Sequence, residues 1–114
     1  MQLPPQRGFF RALLVSPEDQ AQVWSPYSQR VELIWTPVEG AAYYGVEVEC
    51  FNCTGREEWS PWAIEGPLTS NSATILGPTS DWQMHRVGRW RVWAVDLDGY
   101  TSAASAWRTY FLTR

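Results

Sequence analysis

Short runs of alternating apolar and polar residues, broken every ten or so positions by turn residues, most narrowly limit what this chain can fold into. "RVELIW" sets Val31, Leu33 and Trp35 on one side. "YYGVEVEC" sets Tyr44, Val46, Val48 and Cys50 against Glu47 and Glu49, and "RWRVWAV" sets Trp90, Val92 and Ala94 against Arg89, Arg91, Trp93 and Val95. A period of two marks half-buried strands. The closing "WRTYFLT" adds the β-branched and aromatic residues that suit a pleated surface. Between these runs stand "SPEDQ", "VEG", "NCTG" and "DLDG", and no window keeps a helical stripe for three turns. With 8 Pro and 8 Gly spread throughout, a helix bundle or an alternating βαβ chain is ruled out and the fold class is all-β. About seven strands are expected, near 12–15, 31–35, 43–50, 59–64, 73–76, 87–96 and 107–113. At this length and spacing they predict an Ig-like antiparallel β-sandwich with a core about 10 Å thick. Trp35 should lie at its centre with Val46, Val48, Trp90 and Val92.

The 114 residues suffice for one domain and leave no room for a second core. Hydrophobic residues at 45% and charged residues at 18% fit a globular protein. No apolar run approaches the roughly 18 residues of a membrane-spanning helix, so membrane insertion is not expected. "RALLV" is too short for the apolar part of a secretory signal, so an export signal is expected to lie outside this sequence or be absent. The net charge is −3 and all 9 basic residues are Arg. The arginines alternate with acidic residues and Trp, which argues against nucleic acid as a partner. Trp is the outlier, since 8 in 114 residues exceeds ordinary usage several-fold. Some of these rings must lie outside the core.

The succession "LLVSPEDQAQV", "VELIWTPVEGAAYYGVEVE" and "GRWRVWAVDLDGYTSAASAWRTYFL" resembles the fibronectin type III superfamily, particularly its divergent bacterial surface versions. The resemblance runs from Leu13 onward. It makes residues 1–12 an N-terminal extension or linker and 13–114 one fibronectin type III-like domain. In that pattern Trp35 belongs to strand B, Tyr44, Val46 and Val48 to strand C, and Trp90 and Val92 to strand F, which ends in Asp96. The sequence departs where the Tyr that usually opens strand F would stand, near Gly88. Trp82 or His85 is expected to fill that corner. The resemblance implies a non-enzymatic unit of a larger secreted or cell-surface protein, acting as spacer or protein-interaction module.

"ECFNCTGREEWSPW" concentrates the motifs. Two Cys separated by two residues in a turn can bring their Cα atoms within about 6 Å, the range of a disulfide, so a Cys50–Cys53 bond is possible. Two free thiols, with Cys50 on the core face, are the alternative. A zinc site needs four N or S donors, and the chain offers these thiols and one His. A redox pair needs a helix N-terminus that an all-β chain lacks. No metal and no cofactor is therefore expected. Asn52-Cys53-Thr54 fits a glycosylation sequon, without meaning in a bacterial source. "WSPW" resembles the W-S-x-W runs of thrombospondin repeats and cytokine receptors, where Trp rings stack on Arg side chains. Arg89, Arg91 and Trp93 should face the same way as Glu47 and Glu49 on a neighbouring strand, giving a charged and aromatic ladder.

Catalysis finds little support. His85 has no nucleophile motif beside it, and Asp96 and Asp98 look like turn residues. The expected function is binding of a protein through an exposed surface of Trp59, Trp62, Trp93, Arg89 and Arg91. The competing class is a carbohydrate-binding module whose Trp rings, Trp24 and Trp82 among them, form a platform for polysaccharide.

Overall fold

The computed structural model describes residues 11–24, 30–76 and 85–113. Among these, eight strands form: β1 (Leu14–Ser16), β2 (Ala21–Trp24), β3 (Arg30–Trp35), β4 (Tyr43–Phe51), β5 (Trp59–Leu68), β6 (Ser72–Leu76), β7 (His85–Val95) and β8 (Arg108–Thr113). They make two sheets, one ordered β1-β3-β6 and the other β2-β8-β7-β4-β5. Inward residues of both sheets supply one core. Trp35, Val46, Val48, Trp90 and Val92 are fully buried there with Leu33, Ala94 and Tyr110. Trp35 meets Tyr44 edge-on at 5.5 Å between ring centroids and Trp90 at 6.5 Å. Ala12, within the expected N-terminal extension, packs into the core.

Two elements differ from the sequence expectation. β2 was not foreseen, and it runs parallel to β8, pairing Ala21 with Tyr110 and Val23 with Leu112. Four residues between turn-rich segments carry almost no periodic signal, and their partner lies some ninety positions away. β5 extends to Leu68 rather than stopping near 64 because it contains two irregularities. Trp62 is an extra residue between the Glu49–Pro61 and Val48–Ala63 pairs. Farther on, Gly66 and Pro67 together oppose Gly45 alone, between the Val46–Glu65 and Tyr44–Leu68 pairs. Such bulges bend an edge strand and break the period of two that sequence reading depends on.

The long connection from β7 to β8 substitutes for a strand. β8 stops pairing with β7 at Trp90–Arg108, and two buried serines take over. The Ser105 N–H donates to the Val92 carbonyl while its Oγ accepts from the Val92 N–H, at 2.8 and 3.0 Å. Ser102 does the same for Ala94, at 2.8 and 2.9 Å. The backbone groups of β7 are thus satisfied beyond the end of β8, as buried amides require. "TSAASAW" reads as a loop, yet it continues the sheet and delivers Trp107 to its outer face.

At the other end of β7, Gly88 faces Tyr110 of β8 across the ladder. A Cβ at position 88 would overlap the Tyr110 ring. Gly88 thus leaves room for the Tyr110 ring from the neighbouring strand; the expected fillers of the strand F corner, Trp82 and the side chain of His85, lie outside the described residues. The Tyr110 hydroxyl is buried, and no hydrogen-bond partner meets it among the described residues. Burial pushes its phenol well above the ordinary value. The neutral form is held in the folded state, while the unfolded chain releases this proton near pH 10. Stability from this group is present below about pH 10 and is lost as the pH rises beyond it, by up to about 1.4 kcal/mol per pH unit. Tyr110→Phe should remove that alkaline component. At pH 7 it should be neutral or stabilising by about 1 kcal/mol, because an unpaired buried hydroxyl disappears. Urea denaturation of both proteins at pH 7 and pH 11 checks this, and a Phe variant weakened by more than about 1 kcal/mol at pH 7 contradicts it.

Candidate functional site

Alternation along β4 and β7 puts Glu47, Glu49, Arg89, Arg91 and Trp93 on the face of the five-stranded sheet that points away from the core. Register then decides who meets whom. Glu49 stands opposite Arg89 and Glu47 opposite Arg91. Each Arg Nε donates to the Oε1 of its facing Glu at 2.8 Å. These charges are half-buried, and directly opposed ion pairs on a sheet contribute roughly 0.2–1 kcal/mol each.

Aromatic rings close over the guanidinium groups. The Arg89 guanidinium carbon lies 4.4 Å from the Trp59 ring centroid and 4.3 Å from that of Trp107. Arg91 lies 4.3 Å from Trp107. The order Trp59, Arg89, Trp107, Arg91 is therefore a continuous stack, with Phe51 edge-on to Trp59 at 5.3 Å. Each cation–π contact is worth about 0.5–1 kcal/mol at an exposed site and more when desolvated. Held by a carboxylate and sandwiched between rings, Arg89 loses its rotamer freedom before any partner arrives.

The structure brings Trp59, Arg89 and Arg91 together. Trp62 occupies the first bulge of β5 and is 38% exposed. Trp93 lies two pairs beyond Arg91 on the same face, its indole resting on Gly45, where a Cβ would overlap the ring. The backbone of Trp24 ends β2, but its side chain and all of Trp82 lie outside the described residues. Sequence reasoning did not single out Trp107. The signal was the outward alternation of Trp107, Thr109 and Phe111 along the expected strand 107–113, which in the structure begins one residue later, at Arg108.

A disulfide joins Cys50 and Cys53, whose Cα atoms are 5.8 Å apart. It clamps the start of the β4–β5 turn, where the Asn52 N–H donates to the Glu58 carbonyl at 2.9 Å and the Thr54 hydroxyl donates to the Glu58 carboxylate at 3.1 Å. The turn sets Phe51 against Trp59 at the end of the stack. Oxidised, denatured protein should titrate with no free thiol, and Cys53→Ser should lower stability by less than ~3 kcal/mol because the closed loop is so short. Two free thiols would exclude the bond.

The Asp96 carboxylate serves the backbone. Asp96 Oδ1 accepts the N–H groups of Asp98 and Tyr100, both at 2.9 Å, and so shapes its turn. Among the described residues no three His, Cys, Asp or Glu side chains converge as a metal site.

No protein-family model matches the chain, and no curated protein matches it. Solved structures do. An Fn3-like protein from Clostridium thermocellum superposes with a TM-score of 0.54 at 20% identity, over 92% of this chain and 90% of that one. FN3tt superposes with a TM-score of 0.45 at 16% identity, over 92% and 94%. Likeness at such identity is a likeness of fold: the chain adopts a fibronectin type III-like β-sandwich.

Proposed function

We propose that this domain is a non-enzymatic interaction module of a larger secreted or cell-surface protein, binding a protein partner through the outer face of its five-stranded sheet. The observation that carries this reading is the stack of Trp59, Arg89, Trp107 and Arg91. Trp and Arg are the side chains that most often anchor protein contacts, and fixing them in advance lowers the entropy lost on binding. Around the stack, Ile64 is 68%, Trp62 38% and Phe111 37% exposed, an apolar fringe within reach of the same partner. Stacking favours protein over polysaccharide as ligand, since Arg89 already covers a face of Trp59 and Arg89 and Arg91 both lie against Trp107.

The test is to take a partner retained by the wild-type domain from the secreted and surface fraction of its source, purify it, and measure its affinity for the Phe111→Ser and Trp62→Ser variants. Loss of affinity of tenfold or more, with unchanged melting temperature, supports the reading. Undiminished binding by both variants, or retention of polysaccharide alone, contradicts it.

A further inference from the structure

On the same outer face, beyond the stack, the second bulge of β5 opens a cleft of about 260 Å³ over Gly45. Tyr43, Trp93 and Val95 wall it from β4 and β7, and Ile64 and Pro67 from β5. The volume falls below the roughly 300–1,000 Å³ of pockets that enclose drug-sized ligands, which suits one or two residues of a longer chain. The walls are apolar and uncharged. Glu65 borders the cleft, yet it pairs with the core-facing Val46 and so directs its carboxylate to the opposite face of the sheet. Glu47 and Arg91, next along the outer face, neutralise each other. What the walls do carry is donors. The indole edge bearing Nε1 of Trp93 lies over Gly45, and neither this N–H nor the Tyr43 hydroxyl is held by an acceptor among the described residues.

We infer that this cleft receives a proline-rich segment of the protein partner in polyproline II conformation, its rings against Trp93 and Tyr43 and its carbonyls accepting from their N–H and O–H; the inference rests on the protein-binding reading above. A run of prolines presents apolar rings and carbonyl acceptors but no N–H, so it brings no donor that the cleft would leave unpaired. Other occupants fit worse. A charged side chain would lose its water to neutral walls without compensation. Sugar hydroxyls donate as well as accept, and the outer-face lining has no carboxylate or amide side chain to receive them. An ordinary extended peptide brings an N–H at nearly every residue, and Pro61 and Pro67 within β5 make this edge a poor one for strand addition. Polyproline II is also largely formed before binding, so little ordering entropy is lost in an aromatic-lined groove.

The test titrates isotope-labelled domain and follows the Gly45 amide and Trp93 indole N–H signals. The probes are hexaproline and hexaalanine, both capped and uncharged, and cellohexaose. Hexaproline should shift both signals saturably and bind at least about fivefold more tightly than hexaalanine, the least that one peptide N–H left unpaired costs. Trp93→Phe keeps a ring over Gly45 and removes the donor, so it should weaken hexaproline about twofold to tenfold at an unchanged melting temperature. Should that variant melt early, Tyr43→Phe gives the same readout at the other donor. Added salt should leave the affinity undiminished, since no charge takes part. No shift with hexaproline, equal affinity for hexaalanine, undiminished affinity in both Phe variants, binding weakened by salt, or a response to cellohexaose only would each overturn the assignment. No partner takes part in this experiment, so its failure leaves the outer-face reading to be judged on the Phe111 and Trp62 variants.

Discussion

Trp35→Ala is expected to lower the free energy of unfolding by about 3–5 kcal/mol, the usual range for deleting a large core aromatic. Trp35 is fully buried, packs against both Tyr44 and Trp90, and belongs to β3, which joins β1 to β6. Neighbours on both sheets would have to move to fill the void, and paired backbones resist that collapse. The loss is comparable to the total stability of many domains of this size. Urea denaturation measures it; a change below about 1 kcal/mol would mean that Trp35 does not sit between the sheets.

Gly88→Ala should be costly for so small a substitution. A single methyl at 88 overlaps the Tyr110 ring, and both residues are fixed by the β7–β8 ladder. Overpacking of this kind costs about 1–3 kcal/mol, sometimes more. Tyr110→Ala alone should lose about 3–5 kcal/mol through the cavity it leaves, by analogy with other large aromatic deletions. In the double variant the new methyl occupies part of that cavity. The two losses should therefore add to at least about 1 kcal/mol less than their sum, the coupling expected of residues in contact. Strict additivity would show that Gly88 and Tyr110 do not touch.

What could be read from the sequence follows from how each element announces itself. β3, β4 and β7 alternate cleanly because one face of each is core and the other solvent, so Val31, Leu33 and Trp35 or Trp90, Val92 and Ala94 fall on a period of two. The charge pairs of the outer face were visible for the same reason, once β4 and β7 were taken as neighbours. β2 was hidden by its brevity and by its parallel pairing with the far end of the chain. The course of β5 was hidden by its bulges, which displace Trp62 and open the cleft over Gly45. Trp107 was placed at the start of the last expected strand, but its stacking on Arg89 and Arg91 was not seen. That contact depends on how β8 lies beside β7 and on the loop that Ser102 and Ser105 pin to β7, which leave no periodic trace. Tyr110 was legible as a strand residue but not as the occupant of the space at Gly88, a relation that exists only across the ladder.

The central claim is that the outer face of the five-stranded sheet is a binding surface as well as a well-packed one. Most stabilising contacts of the stack are internal, so altering its residues would disturb fold and binding together. Phe111 and Trp62 project from that face, 37% and 38% exposed. The most direct measurement is the affinity of a purified partner for Phe111→Ser and Trp62→Ser, taken with their melting temperatures. The account predicts melting temperatures within about 4 °C of wild type, equivalent to no more than about 1 kcal/mol, together with affinity reduced tenfold or more. Variants that melt early yet bind with undiminished affinity would show a face built for stability alone.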